Sequence, residues 1–176
     1  MQKTERLTLV FSGKEIADRV ATLANEITAA YGNEPLVVVC VLKGAFMFFS
    51  DLTRKLLNPN LELDFVRLAS YGKSAQSSGH VIFNKDIELD IRNKHVLIVE
   101  DIVDTGQSMF FLLQQFKARA PRSLKIASLL NKFERRETSV KVDFSGFDIP
   151  EGFLVGYGLD YAEHYRALPD IYKLEF

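Results

Sequence analysis

Apolar and polar positions along the 176-residue chain switch between two periods, and the switching predicts a string of strands and helices. Residues 7–11 read as a short strand. Ser12, followed three positions later by Glu15, is a capping box that opens a helix. Ile16, Val20, Leu23, Ala24 and Ile27 mark one face of that helix, and Gly32 stops it. After Pro35 the unbroken apolar run Leu36–Leu42 predicts a strand buried on both faces. The chain then passes through Lys43-Gly44 into a helix predicted from Ala45 to about Leu57. Asn58-Pro59-Asn60 is a turn. Leu61, Leu63 and Phe65 alternate with polar residues, as in a strand with one wet face. A polar, small-residue stretch at 73–80 predicts a mobile loop, and Val81-Ile82-Phe83 resumes the strand.

The pattern is sharpest at 96–109. Val96-Leu97-Ile98-Val99 reads as another doubly buried strand, which ends at the carboxylates Glu100-Asp101. Ile102-Val103 and the turn Asp104-Thr105-Gly106-Gln107-Ser108 follow. Met109, Leu112, Leu113 and Phe116 recur at helix spacing, and Pro121 ends that helix. Ser123–Leu130 predicts a further strand with Asn131-Lys132 at its end. Arg135-Arg136 reads as a solvated pair, and Phe144–Pro150 as turn-rich. Asp160 and Glu163 fit an N-cap pair for a short helix ended by Leu168-Pro169-Asp170, and Ile171–Phe176 reads as a final strand. Strands alternating with helices imply an α/β fold. Its twisted, mainly parallel sheet is flanked by helices and binds ligands at the carboxyl ends of its strands. The length fits a single domain, 1–176.

The 96–109 stretch also carries the clearest chemistry. The first N–H groups of a helix have no partner inside it, and its dipole favours an anion there. Gly106 allows close backbone approach, while Thr105 and Ser108 add hydroxyls. No G-x-x-x-x-G-K-[ST] is present, so this is not a Walker-type loop. Three carboxylates beside a phosphate would repel it, so they need another task, and binding sugar hydroxyls and Mg²⁺ suits them.

Composition narrows the function classes. An apolar content of 47% with 26% charged residues is that of a globular protein. A net charge of −1 argues against a nucleic-acid surface. The single cysteine, Cys40, sits in an apolar run and reads as a buried thiol without a disulfide. The polar N-terminus has no signal-peptide core, and no apolar run reaches the ~20 residues that span a bilayer. A cytoplasmic protein is expected, with neither membrane nor nucleic acid as partner. Phe46-Met47-Phe48-Phe49 cannot all lie on one helix face, which suggests a buried helix or a subunit contact.

The Val-Glu-Asp-Ile-Val-Asp-Thr-Gly run of residues 99–106 closely resembles the 5-phosphoribosyl-1-pyrophosphate signature of type I phosphoribosyltransferases. With Glu first, it is most like the hypoxanthine-guanine branch. Leu42-Lys43-Gly44 is similar to that family's pyrophosphate loop, in which the Leu42–Lys43 bond is often cis. Ser70-Tyr71-Gly72 is similar to the opening of its lid, and Phe153 to Tyr161 with Arg166 to its second signature.

The resemblance implies the type I phosphoribosyltransferase fold, with a small hood formed by the chain ends. It implies a purine-salvage enzyme that transfers 5-phosphoribosyl from 5-phosphoribosyl-1-pyrophosphate to hypoxanthine and guanine, giving IMP or GMP and pyrophosphate. Asp104 would be the general base. Lys43, Gly44, Glu100, Asp101, Asp104, Thr105, Gly106, Gln107, Ser108 and Arg166 would bind 5-phosphoribosyl-1-pyrophosphate. Lys132, Phe153, Leu154 and Asp160 would bind the purine, and Ser70 and Tyr71 would form the lid. Glu100, Asp101 and Asp160 would hold Mg²⁺. The segment at 46–49 would serve a homodimer or homotetramer. Many relatives carry Lys where this chain has Gln107, which leaves more of the phosphate affinity to amides and hydroxyls. A regulatory protein on the same fold is the rival reading; it would not need Asp104, Lys132 and Phe153 together.

Overall fold

The computed structural model describes residues 5–70 and 81–176. The chain runs β1 (Arg6–Phe11), α1 (Gly13–Tyr31), β2 (Leu36–Leu42), α2 (Phe46–Thr53), β3 (Leu61–Ser70), β4 (Val81–Lys85) and β5 (His95–Val103). It continues through α3 (Gln107–Lys117), β6 (Ser123–Lys132), β7 (Phe144–Ile149), β8 (Leu154–Val155) and β9 (Ile171–Glu175). One sheet has the order β4-β3-β2-β5-β6-β7, and a second has β1-β9-β8. In the larger sheet only the β3–β4 pairing is antiparallel. This is the α/β architecture expected, with the hood made by strands from both chain ends.

The apolar runs explain the layering. Side chains alternate across a strand, so β5 sends Leu97 and Val99 into the cluster under α1 and α2. Val96 and Ile98 go into the cluster under α3. β2 divides in the same way, with Val38 and Cys40 on the first side and Val37, Val39 and Val41 on the second. A strand buried on both faces needs apolar residues throughout, as these two have. The stripe of α1 from Ile16 to Ile27 is buried as its spacing predicts. Its capping box is formed: Glu15 N–H donates to Ser12 Oγ (3.3 Å), and Ser12 N–H donates to Glu15 Oε2 (2.8 Å). In the hood β1 pairs antiparallel with β9, Arg6 facing Glu175. Phe11 stacks on Phe147 of the larger sheet at 4.0 Å, which ties the two sheets together.

Four expectations change. Residues 144–149 form β7, a parallel edge strand, rather than a turn. Gly146 lies so close to β6 that a Cβ there would meet the Leu129 carbonyl oxygen at 2.3 Å. No helix follows Asp160. Glu163 N–H does donate to Asp160 Oδ2 (2.8 Å), but Ala162, Glu163 and Tyr165 all have positive φ, which a right-handed helix excludes. The helix after Gly44 ends at Thr53, and Leu57 is exposed.

The alternation in β3 has the opposite face buried. Asp64 and Val66 are inside, while Leu63 and Phe65 are exposed beside the short α2. Asp64 tolerates burial because its carboxylate accepts N–H groups of Phe65 (2.7 Å), Glu88 (2.7 Å) and Leu89 (2.8 Å). Burial pushes its pKa up, but those donors and Lys85 outweigh burial and hold the carboxyl below its ordinary value. The loop at 73–80 and Tyr71 lie outside the described residues. Among the described residues no helix is long and apolar enough to cross a membrane.

Candidate active site

Two turns and the hood converge at the carboxyl edge of the larger sheet. The first turn follows β5. Gly106 stands at the N-cap of α3 in the left-handed region (φ 86°) and supplies no side-chain cap; the first amide, of Gln107, makes only a long contact to Thr105 Oγ1 (3.5 Å). Only glycine fits, because a Cβ would also meet the Thr138 carbonyl oxygen at 2.5 Å. A cavity of about 250 Å³ opens here, lined by Glu100, Asp101, Asp104, Thr105, Gly106 and Ser108 among others. The arrangement of carboxylates, hydroxyls and helix amides is the one the sequence predicts.

Glu100 and Asp101 differ in environment. Glu100 is buried; that burial, with the charge of Asp101 next to it, raises its carboxyl well above the usual range. Asp101 accepts the Ile102 N–H (2.8 Å) and lies against Gly44. A Cβ on residue 44 would fall 1.7 Å from Asp101 Oδ2, which explains the glycine.

Beside this cavity lies a second, of about 710 Å³, lined by Asp101, Asp104, Lys132, Phe153, Leu154 and Asp160 among others. Asp101, Ile102 and Asp104 line both. Lys132 is buried at the end of β6 and donates to the Gly152 carbonyl (3.1 Å). Its Nζ is 3.6 Å from Asp104 Oδ2, and Arg135 approaches the same oxygen at 3.7 Å. Asp104 Oδ1 is buried and has no hydrogen-bond partner among the described residues. Phe153 is half-exposed, with the Tyr161 ring edge-on at 5.6 Å.

The turn after β2 adds cationic groups. The Leu42–Lys43 peptide is cis. Lys43 Nζ contacts both Glu163 oxygens (3.0 and 2.9 Å), and that ammonium foremost holds the exposed Glu163 carboxyl below its ordinary pKa. Arg166 pairs with Asp160 (2.7 Å), reaches Glu163 (3.3 Å) and donates to the Gly158 carbonyl (2.8 Å). The hood packs tightly on this turn: a Cβ at Gly158 would meet the Gly44 carbonyl oxygen at 2.0 Å.

Most of the expected residues are therefore brought together. Gln107 turns away, its Nε2 donating to Glu137 at 2.6 Å, and it does not line the 250 Å³ cavity. Ser70 closes β3, and its lid partner Tyr71 lies outside the described residues. Sequence reasoning missed Glu163, read only as a cap, and Arg136, read as solvated; neither has a local signal for the ion pair or carbonyls it meets.

The carboxylates bear on metal binding. No group of three or more His, Cys, Asp or Glu among the described residues forms a cage. Asp160 already meets Arg166 and the Glu163 N–H. The crowded Glu100–Asp101 pair offers hard oxygens at the cavity wall. This donor set fits a Mg²⁺ that keeps several of its own waters.

The start of α3 and two hydroxyls thus stand beside three carboxylates at the carboxyl edge of an α/β sheet. Comparison with known proteins makes the class specific. The family described as phosphoribosyl transferase domain matches residues 9–162. A hypoxanthine phosphoribosyltransferase of Buchnera aphidicola subsp. Schizaphis graminum is 44% identical over 172 residues, covering 97% of this chain and 97% of that protein. A hypoxanthine-guanine phosphoribosyltransferase of Aquifex aeolicus is 42% identical over 172 residues, covering 97% and 96%. The crystal structure of a hypoxanthine-guanine phosphoribosyltransferase from Bacillus anthracis aligns with a TM-score of 0.90 at 37% identity, covering 98% of this chain and 100% of that one. The chain belongs to the phosphoribosyltransferase family.

Proposed function

We infer that this chain is a purine-salvage enzyme that transfers 5-phosphoribosyl from 5-phosphoribosyl-1-pyrophosphate to hypoxanthine, and to guanine, releasing pyrophosphate. The observation that carries the reading is Asp104. It stands between two cavities, with Lys132 at 3.6 Å and one carboxylate oxygen unpartnered among the described residues.

Amides of residues 104–108, with Thr105 and Ser108, would hold the 5′-phosphate. Glu100 and Asp101 would hold the ribose hydroxyls. Asp104 would take the proton from an imidazole-ring nitrogen of the base, while Lys132 donates to the 6-oxo group. Phe153 would stack on the purine, and the Leu154 backbone would bond its edge. Glu100 and Asp101 would hold one Mg²⁺ through the ribose, and Asp160 a second through water. Bound Mg²⁺ supplies positive charge that lowers the cost of the departing pyrophosphate. Lys43, Gly44 and Arg166 would bind that group directly. Ser70 and Tyr71 would close over the centre and exclude water.

The whole chain would work as one catalytic domain. Phe46, Leu63 and Phe65 expose an apolar face around α2 and β3, which supports a homodimer or homotetramer. A free, buried Cys40 suits a reducing compartment, and the cytoplasm is the proposed location.

The test is pyrophosphate release by the purified protein with 5-phosphoribosyl-1-pyrophosphate and Mg²⁺, supplied with hypoxanthine, guanine, xanthine or adenine in turn. Release with the first two and loss of it on chelation support the reading; silence with every base defeats it.

A further inference from the structure

Arg136 belongs to a pair that reads as solvated, yet its guanidinium is bound on nearly every side. Nε donates to the Asp104 carbonyl (2.9 Å) and Nη1 to the Val140 carbonyl (2.9 Å). Nη2 reaches the carbonyls of Val103 (3.1 Å) and Lys132 (3.0 Å) and Asn131 Oδ1 (2.7 Å). A guanidinium presents five N–H donors in one rigid plane. These contacts occupy all three of its nitrogens with protein acceptors, so the group is built into the frame rather than offered to a ligand.

The acceptors belong to the two strands that carry the chemistry. β5 and β6 are parallel neighbours, with Val103 opposite Asn131. Where their pairing stops, Arg136 bridges the backbone of Asp104 to that of Lys132. A second brace reinforces it: the Thr105 carbonyl accepts N–H groups from Glu137 and Thr138, both at 3.0 Å. The strap leaves no slack, since a Cβ at Gly106 would lie 2.5 Å from the Thr138 oxygen and 3.0 Å from Arg136 Cδ.

We propose that Arg136 is a positioning residue for the transfer reaction: its fork fixes the carbonyls of Asp104 and Lys132 and so sets the spacing of their side chains, 3.6 Å apart, to the adjacent N7 and O6 of a 6-oxopurine. The proposal rests on the function inferred above. N7 and O6 lie on one edge of the base, so one clamp can register the proton acceptor and the 6-oxo donor together. Arg136 touches no substrate itself. A lysine at this position keeps the charge near Asp104 but cannot span the same acceptors, which separates geometry from electrostatics.

The experiment compares the unmodified chain with Arg136→Lys and Arg136→Gln, each checked for folding by circular dichroism. In a folded variant, kcat with hypoxanthine should fall roughly ten- to hundredfold, as misplacement of reacting groups predicts, while KM for 5-phosphoribosyl-1-pyrophosphate stays within about threefold. Preference for hypoxanthine over its 6-thio analogue should narrow, because the sulfur is the weaker acceptor for Lys132. Asn131→Ala leaves Arg136 in place and removes one of its acceptors, together with the Asn131 Nδ2 donation to the exposed Asp148 (2.9 Å); it should show the same split at roughly three- to fivefold, on the scale of one hydrogen bond.

Turnover at the unmodified rate in a folded Arg136 variant overturns the proposal. A parallel loss of turnover and of phosphoribosyl-pyrophosphate affinity overturns it too, since that marks a general strut. If neither Arg136 variant folds, Asn131→Ala decides, and unchanged kcat there is the overturning result. An unmodified chain inactive with every purine defeats the functional reading instead, a separate outcome.

Discussion

The chain builds one local construction twice, a buried strand leading through a short turn into a helix, and the two copies do different things. After β5, Gly106 turns the chain in the left-handed region, and α3 starts beside a cavity with two hydroxyls, its first amide making only a long contact to Thr105 Oγ1 (3.5 Å). After β2, Ala45 at the N-cap of α2 is right-handed and fully buried, and half-buried Gly44 packs one side on Asp101 and its carbonyl against Gly158 of the hood. The first turn opens the start of its helix onto a cavity. The second seals its helix and presents Lys43. A strand–turn–helix pattern is thus not enough to leave a helix start open; what packs against the turn decides.

Four substitutions test this contrast, in falling order of expected effect. Asp104→Asn strikes the β5 turn and should lower kcat by about 10²–10⁴, the usual range for a general base, with KM for 5-phosphoribosyl-1-pyrophosphate little changed. Unchanged turnover in steady-state assays would remove Asp104 from that role. Gly44→Ala strikes the other turn. Its Cβ would fall 1.7 Å from Asp101 Oδ2, so the carboxylate must move, and kcat/KM for 5-phosphoribosyl-1-pyrophosphate should drop by roughly 10²-fold. Equal signatures from these two variants would erase the distinction between the turns.

Asp64→Ala supplies a control away from both turns. It leaves the N–H groups of Glu88 and Leu89 without their acceptor and should cost about 2–3 kcal/mol in urea unfolding. The sign with pH follows from the depressed carboxyl. The wild-type advantage is full above the ordinary Asp value of 3.8 and fades as pH falls through the lower folded value. A pH-independent difference would mean that the charge contributes nothing. The smallest effect belongs to Glu163→Gln. In the proposed role of Lys43 and Arg166 a diphosphate would compete with Glu163 for them, so the variant should lower KM for 5-phosphoribosyl-1-pyrophosphate by roughly two- to fivefold, small because an exposed pair is weak. A raised KM would show instead that Glu163 helps to hold those cations in place.

Legibility in the sequence tracks how local each determinant is. β2, β5, α1 and the Asp104–Ser108 turn were readable because periodicity, capping and turn chemistry lie within a few adjacent residues. β7 was not: Phe-Ser-Gly-Phe-Asp-Ile has turn composition, and it becomes a strand by pairing with β6, against which Gly146 fits closely. The face of β3 was misjudged because Asp64 is satisfied by N–H groups more than twenty residues away. Past Asp160 a formed cap did not become a helix, as the hood instead packs on Gly44 through left-handed turns.

By itself, then, the sequence determined which residues are candidates for phosphate, sugar and base contacts, and which runs had to be buried on both faces. Tertiary structure alone decided how those groups are spaced. The Lys132–Asp104 distance, the reach of Arg136 to the Asp104 backbone and the meeting of Lys43 with Glu163 join residues 28 to 120 positions apart. Separations of that length leave no local pattern, because only packing of the finished sheet brings such groups within hydrogen-bond reach.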